Sequence, residues 1–260
     1  MSAREVPAAR GVRWLAEGWR MFRAAPLGWL ALVFAYWMVM TVLSLVPYVG
    51  VVAASVLVPA FSVGFMAASR AASRGQPVEL AMLFAGFRER LPAQIVLGAA
   101  YFASLALVIG GSALADDGML ARWLLTGQRP PETDAEGDAL LGAFALAAAL
   151  YTPVMAMFWF APLLAAWHGM PPVKSLFYSF FASLLNWRAF FAYGAAVGVV
   201  LFLLPSVLLL VLVLLSGGTL RLQPMALVLP LALIMLPTLF ASFFASYRDV
   251  FGLAPAQEAG

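Results

Sequence analysis

The chain has one histidine, His168, and no cysteine in 260 residues. That alone closes most routes to chemistry. Acyl transfer or intramembrane proteolysis through a Ser–His pair needs the base within hydrogen-bond reach of the nucleophile. The most suggestive serine is Ser112, in the string GGSA near the far end of a different apolar run. The two groups are expected at opposite membrane faces, about 30 Å apart by bilayer thickness. His168 therefore reads as an interfacial residue. Bis-histidine haem ligation lacks its second ligand, and zinc needs three or four N, S or O ligands. The cluster Glu132, Asp134, Glu136 and Asp138 would suit only a hard cation such as Ca²⁺, held loosely. It lacks EF-hand spacing and glycine placement, and with Pro130 and Pro131 beside it a flexible acidic loop is the expectation. No phosphate-cradling glycine loop is present. No catalytic residue, cofactor or metal is expected, and the chain is not expected to be an enzyme.

Ion-coupled transport usually places Asp, Glu, Lys or Arg along the path. None lies within the apolar zone. Gln94 and Gln223 sit near run ends, and Thr41, Ser62, Thr152 and Ser206 are weakly polar. Broken helices can bind ions through backbone carbonyls alone, so a transport path remains open as the alternative.

The elements that would carry these residues are plain from composition. The chain is 64% hydrophobic and 10% charged, against about 25% charged in a soluble domain. Six runs carry no charge: 27–46, 48–69, 91–115, 139–167, 189–216 and 222–247. Each reaches the roughly 20 residues that cross the hydrocarbon core as a helix. The expected fold is all-α, a polytopic bundle of six transmembrane helices in one integral membrane domain spanning 1–260. Pro153 and Pro162 predict a kink, tilt or break in the fourth run. The first run is long enough to span and is expected to be an uncleaved anchor.

The basic residues fall between the runs on alternate sides. One side holds Arg4, Arg10, Arg13, Arg20, Arg23, Arg70, Arg74, Arg88, Arg90, Lys174, Arg188 and Arg248; the other holds Arg122, Arg129 and Arg221. The positive-inside rule then predicts both termini in the cytoplasm and the acidic connection 116–138 outside. This spread argues against nucleic acid as the partner of a chain with net charge +3. Each basic residue near an anionic leaflet contributes about 1 kcal/mol. The candidate contacts for lipid headgroups or a partner protein are Arg10, Arg13, Arg20, Arg23, Arg70, Arg74, Arg88, Arg90, Lys174, Arg188 and Arg248.

An amphipathic stretch precedes each odd run. Val12, Leu15, Trp19 and Phe22 share one face, with Arg10, Arg13, Glu17 and Arg20 opposite. Leu80, Leu83, Phe84, Phe87 and Leu91 form the second stripe. Val173, Leu176, Phe177, Phe180, Leu184 and Trp187 form the third, with Ser175, Ser179 and Asn186 opposite. All three predict cytoplasmic interfacial helices with the apolar face in the acyl boundary. The even runs also match: Pro59 precedes Arg70 by eleven residues, and Pro237 precedes Arg248 by eleven. A degenerate threefold repeat follows, with units near 8–75, 76–170 and 171–252. Met119, Leu120, Trp123 and Leu124 predict a short helix on the outer leaflet. Gly194 and Gly198, Ala241 and Ala245, and Ser242 and Ser246 are small-residue pairs that let helix backbones approach; packing within the chain is expected, with a dimer seam as the alternative.

The strings AREVPAARGVRWLAEGWRMFRAAPLGWL, PAFSVGFMAASRA and GQPVELAMLFAGFR resemble an uncharacterised family of six-span bacterial inner-membrane proteins, across the whole chain. The chain is also distantly similar to the membrane domain preceding some glycerophosphodiester phosphodiesterases, whose soluble catalytic domain has no counterpart here. The resemblance implies an inner-membrane location and no activity. Together these readings predict a non-catalytic scaffold that organises membrane lipids or a membrane-protein partner. The alternative is a small-solute transporter or channel.

Overall fold

The computed structural model describes residues 2–47, 49–128, 134–217 and 225–252, without the side chains of 134–136, 225–230 and 232. Among the described residues every regular element is a helix and no strand occurs. An opening helix α1 (Ala9–Ala24) leads through Pro26 into α2 (Pro26–Ser44), and α3 (Val49–Ser73) returns. A 3₁₀ turn, Leu80–Phe84, runs into α4 (Ala85–Arg88). Then come α5 (Leu91–Asp116), a short α6 (Met119–Thr126), α7 (Asp134–Phe158) and α8 (Ala161–His168). The last part holds α9 (Pro172–Leu185), α10 (Trp187–Gly198), α11 (Leu204–Leu215) and α12 (Met225–Phe251). Five helical stretches among the described residues are long and apolar enough to cross a membrane: α2, α3, α5, Gly137–His168 and Trp187–Leu215. The sixth expected run begins outside the described residues and continues along α12, which is 27 residues long. The expected acidic cluster lies largely outside the described residues, as do Arg129, Arg221 and Gln223.

Proline acts differently in each run. Pro59 and Pro153 sit inside unbroken helices. The break in the fourth run falls at Trp159–Phe160, just ahead of Pro162. Pro162 has no N–H for the Phe158 carbonyl, and its ring crowds that oxygen. In the fifth run, Pro205 has no N–H for the Leu201 carbonyl. There the helix widens to a π turn over Val199–Leu203 instead of breaking.

A break in an apolar medium leaves backbone groups that water cannot reach, so side chains must serve them. Ser179 on α9 does this. The Phe160 N–H donates to Ser179 Oγ at 2.9 Å, and Ser179 Oγ donates to the Ala156 carbonyl at 2.8 Å. One hydroxyl is thus inserted into the i to i−4 bond that the helix would otherwise make. Ser183 approaches the same carbonyl at 3.3 Å.

This fixes how α9 lies, and it differs from the expected placement of its polar stripe. Ser175, Ser179, Ser183 and Asn186 are buried against the protein, while Val173, Phe177, Leu184 and Trp187 are exposed. The apolar stripe faces outward, but the polar stripe does not face water. Ser179 and Ser183 serve the broken backbone of the fourth run, Asn186 serves the backbone of Arg4 and Val6, and Ser175 donates to the Pro172 carbonyl of its own helix. In α1 the buried face is Gly11, Trp14, Leu15, Gly18, Met21 and Phe22, leaving Val12 and Trp19 outside. Its apolar stripe is therefore divided between protein and surroundings. In the second stripe Leu83 is buried, and Leu80 and Phe84 are exposed.

The three amphipathic segments pack in a consistent order. The first, α1, lies on α12 and α10. The 3₁₀ turn with α4 lies on α3. The third, α9, lies on α7 and α8. Glycine permits the first two contacts. A methyl on Gly18 would overlap the Thr238 carbonyl oxygen, and one on Gly86 would overlap that of Ala60. By contrast, a methyl on Gly194 or Gly198 meets nothing within 4 Å. That pair is not packed against any described part of the chain. The centre is aromatic: Phe65 and Phe240 stack at 3.8 Å, Trp159 lies 4.3 Å from Phe243, and Trp14, Trp29 and Tyr247 are fully buried.

Candidate functional site

The polar groups of the molecule converge where α1, α8, α9 and α12 meet at the basic end. Glu17 and Asp249 are the centre of this arrangement. Arg10 Nε donates to Asp249 Oδ2 at 2.6 Å, and Arg10 Nη2 lies 3.1 Å from Glu17 Oε1. Trp14 Nε1 donates to the same Asp249 oxygen at 2.7 Å. Arg248 pairs with the other oxygen of Glu17, and Arg20 stands 3.9 Å from Glu17 with 70% of its side chain exposed. Burial alone lowers the affinity of the Arg10 guanidinium for its proton. The hydrogen bond and charge of Asp249, then those of Glu17, outweigh it, so its pKa is raised.

A second layer ties the chain start to this lock. The Arg4 N–H donates to the Val250 carbonyl at 2.8 Å. The Val6 N–H donates to Asn186 Oδ1, and Asn186 Nδ2 donates to the Arg4 carbonyl. His168 Nε2 and the Tyr247 hydroxyl are 2.5 Å apart, joining α8 to α12. Arg70, at the end of α3, covers the Trp167 ring at 4.9 Å from its centre. The even-numbered runs thus meet one another at this end.

The expected headgroup contacts divide accordingly. Arg10 and Arg248 are committed to carboxylates of the chain, and Arg70 to an indole. Arg13, Arg20, Arg23, Arg88, Arg90, Lys174 and Arg188 are exposed, and Arg74 is exposed near the end of α3. Arg23 lies over the Trp19 ring, Lys174 over Tyr178 and Arg188 over Trp187. Ser112 donates to the Ile109 carbonyl at 2.7 Å, whereas His168 is engaged by Tyr247. Among the described residues no three His, Cys, Asp or Glu side chains cluster as a metal site would require.

One cavity of about 230 Å³ lies deeper, between α3, α5, the α7–α8 break and α12. Pro59 and Pro162 line it, with Ser62, Tyr101, Tyr151 and Trp159. The two phenol oxygens are 3.2 Å apart. Ser62 spends its proton on the Val58 carbonyl. Most of the remaining wall is apolar.

The chain is 38% identical over 255 residues to a probable inner membrane protein of Burkholderia thailandensis, covering 96% of this chain and 93% of that one. The chain belongs to this family of probable inner membrane proteins. It is a multi-pass membrane protein. No family model matches it, and no solved structure matches it. The similarity to phosphodiesterase membrane domains therefore gains no support.

Glu17, Asp249, Ser179 and Asn186 carry the polar architecture of this family member, yet sequence reasoning gave no role to the two acids. A signal existed. Glu17 is the only acid between Glu5 and Glu79, and Asp249 is the only one between Asp138 and Glu258. A lone carboxylate beside arginines, within the first amphipathic segment at Glu17 and just past the last apolar run at Asp249, was the signal for an ion pair.

Proposed function

We propose that this protein is a non-catalytic inner-membrane scaffold whose basic end faces the cytoplasm and gathers anionic lipids or a partner protein. Six spanning helices, with both termini inside, fit the distribution of basic residues and the length of α12. A threefold repeat fits the packing order, in which each amphipathic segment lies on the even-numbered run of another unit. One observation carries the reading. The half-buried acids Glu17 and Asp249 hold Arg10 and Arg248 as a lock, while Arg13, Arg20 and Arg23 stand exposed along α1. The centre, by contrast, is packed with aromatic rings and holds no charge.

The test is cross-linking from α1 in the native membrane, with lipids and proteins identified together. Arg13, Arg20 and Arg23 are changed to Gln, and Arg10 is kept because it maintains the fold. The scaffold reading requires loss of the captured partners while the protein remains inserted. Unchanged partners would sink it.

The cavity beside Pro59 and Pro162 favours a second reading, passage or binding of a small solute. Two bonded phenols share one proton between them and leave another to donate. Solute flux in reconstituted vesicles, lost on Tyr101→Phe with Tyr151→Phe, would promote this reading over the first.

A further inference from the structure

Two lateral grooves share one construction. The first, about 450 Å³, runs between α7, α9 and α10, with Pro153, Met155, Phe180, Leu184, Trp187 and Phe191 on its walls. The second, about 550 Å³, runs between α1, α10 and α12, with Val12, Leu15, Trp19, Val200, Ile234 and Met235 on its walls. Both volumes lie in the roughly 300–1,000 Å³ range of ligand sites.

Apart from the rim indoles Trp187 and Trp19, the polar side chains on these walls are already used. In the first groove Thr152 donates to the Ala148 carbonyl, Ser183 to that of Ala156, and Trp159 Nε1 to Ser246 Oγ. In the second, Thr238 donates to the Ile234 carbonyl. A polar solute would find little to bond, so the occupant must be apolar along the groove. At the rim the chemistry reverses. Trp187 lines the first groove, and the Arg188 guanidinium lies 5.5 Å from the centre of its ring. Trp19 lines the second, and Arg23 lies 5.7 Å from its ring centre. Neither arginine has a carboxylate within 4.0 Å among the described residues.

An apolar trough ending at an indole and an uncompensated guanidinium is complementary to one kind of molecule. The geometry points to two binding sites for anionic phospholipid, each with an acyl chain in the groove and a phosphate on Arg188 or Arg23. This rests on the lipid-organising form of the scaffold reading. It adds the sites, the chain-binding surface and the required headgroup charge.

The test uses the full chain in mild detergent, equilibrated with equal amounts of phosphatidylglycerol and phosphatidylcholine, with bound lipid counted by native mass spectrometry. The wild type is expected to prefer phosphatidylglycerol. Arg188→Gln and Arg23→Gln should each weaken retention at one site by about fivefold, and the double variant should lose the preference. Leu184→Trp, at an exposed wall position, should fill the first groove and lower retention of both lipids by one molecule. Arg122→Gln, exposed on α6 and lining neither groove, should match the wild type. No preference in the wild type overturns the proposal, and so does equal loss in Arg122→Gln and the groove variants. That second result leaves a diffuse lipid-gathering role standing. Unchanged cross-links from α1 would remove that role even if the grooves hold lipid.

Discussion

Replacing Ser179 by Ala tests whether one hydroxyl holds the broken fourth run. The hydroxyl accepts from Phe160 N–H at 2.9 Å and donates to the Ala156 carbonyl at 2.8 Å. Without it, the carbonyl keeps the longer contact from Ser183 at 3.3 Å. The Phe160 N–H keeps nothing unless α7 and α8 straighten, and the Pro162 ring opposes straightening by crowding the Phe158 carbonyl. The cost is therefore that of a buried unsatisfied donor, about 1–3 kcal/mol. An ordinary hydroxyl bond between membrane helices contributes only about 0.6 kcal/mol. The two cases are separable by equilibrium unfolding in detergent micelles. Ser179→Ala should cost about 2 kcal/mol, and Ser183→Ala less than about 1 kcal/mol because Ser179 still serves the carbonyl. Equal, small losses for both variants would refute the inserted-hydroxyl account.

Two further stability predictions follow from the packing. Asp249→Ala removes the partner of both Arg10 and Trp14 and should cost about 2 kcal/mol, at the low end for charge-assisted bonds because Arg10 is partly exposed and retains Glu17; a double-mutant cycle with Arg10→Gln should show coupling of about 1 kcal/mol, and simple additivity would contradict the lock. Gly86→Ala should destabilise by about 1–3 kcal/mol, since its methyl would press on the Ala60 carbonyl, whereas Gly194→Ala should be neutral or stabilise by up to about 1 kcal/mol; a large loss at Gly194 in dilute detergent would place a partner on that face.

The helical membrane class was legible because uncharged runs of this length have few alternatives. Most run boundaries were legible for the same reason; Pro153 and Pro162 together predicted a kink, tilt or break, and the helix breaks only ahead of Pro162 while Pro153 sits inside α7. Which face of each amphipathic segment turns inward was not. Periodicity separates Ser175 and Ser179 from Phe177 and Phe180, but it does not say which set the bundle needs. That depended on Ser179 meeting a broken backbone some twenty positions earlier in the chain, a long-range fact. The pair Gly194 and Gly198 fits the small-residue pattern without packing on any described residue, while Gly18 and Gly86, outside any such motif, make the close approaches. At the candidate site the arginines were found by counting. Their division into committed and exposed groups required the positions of Glu17 and Asp249.

Orientation underlies the proposed role, and the absence of native cysteine makes it directly measurable. Gln76 lies in the exposed connection after α3 and Gln128 lies just past α6. The single variants Gln76→Cys and Gln128→Cys are made, and intact cells are treated with a membrane-impermeant maleimide before and after permeabilisation. With the basic end in the cytoplasm, the thiol introduced at position 128 is labelled in intact cells, and the thiol at position 76 only after permeabilisation. Labelling at position 76 in intact cells would put the basic end outside and contradict the proposed orientation.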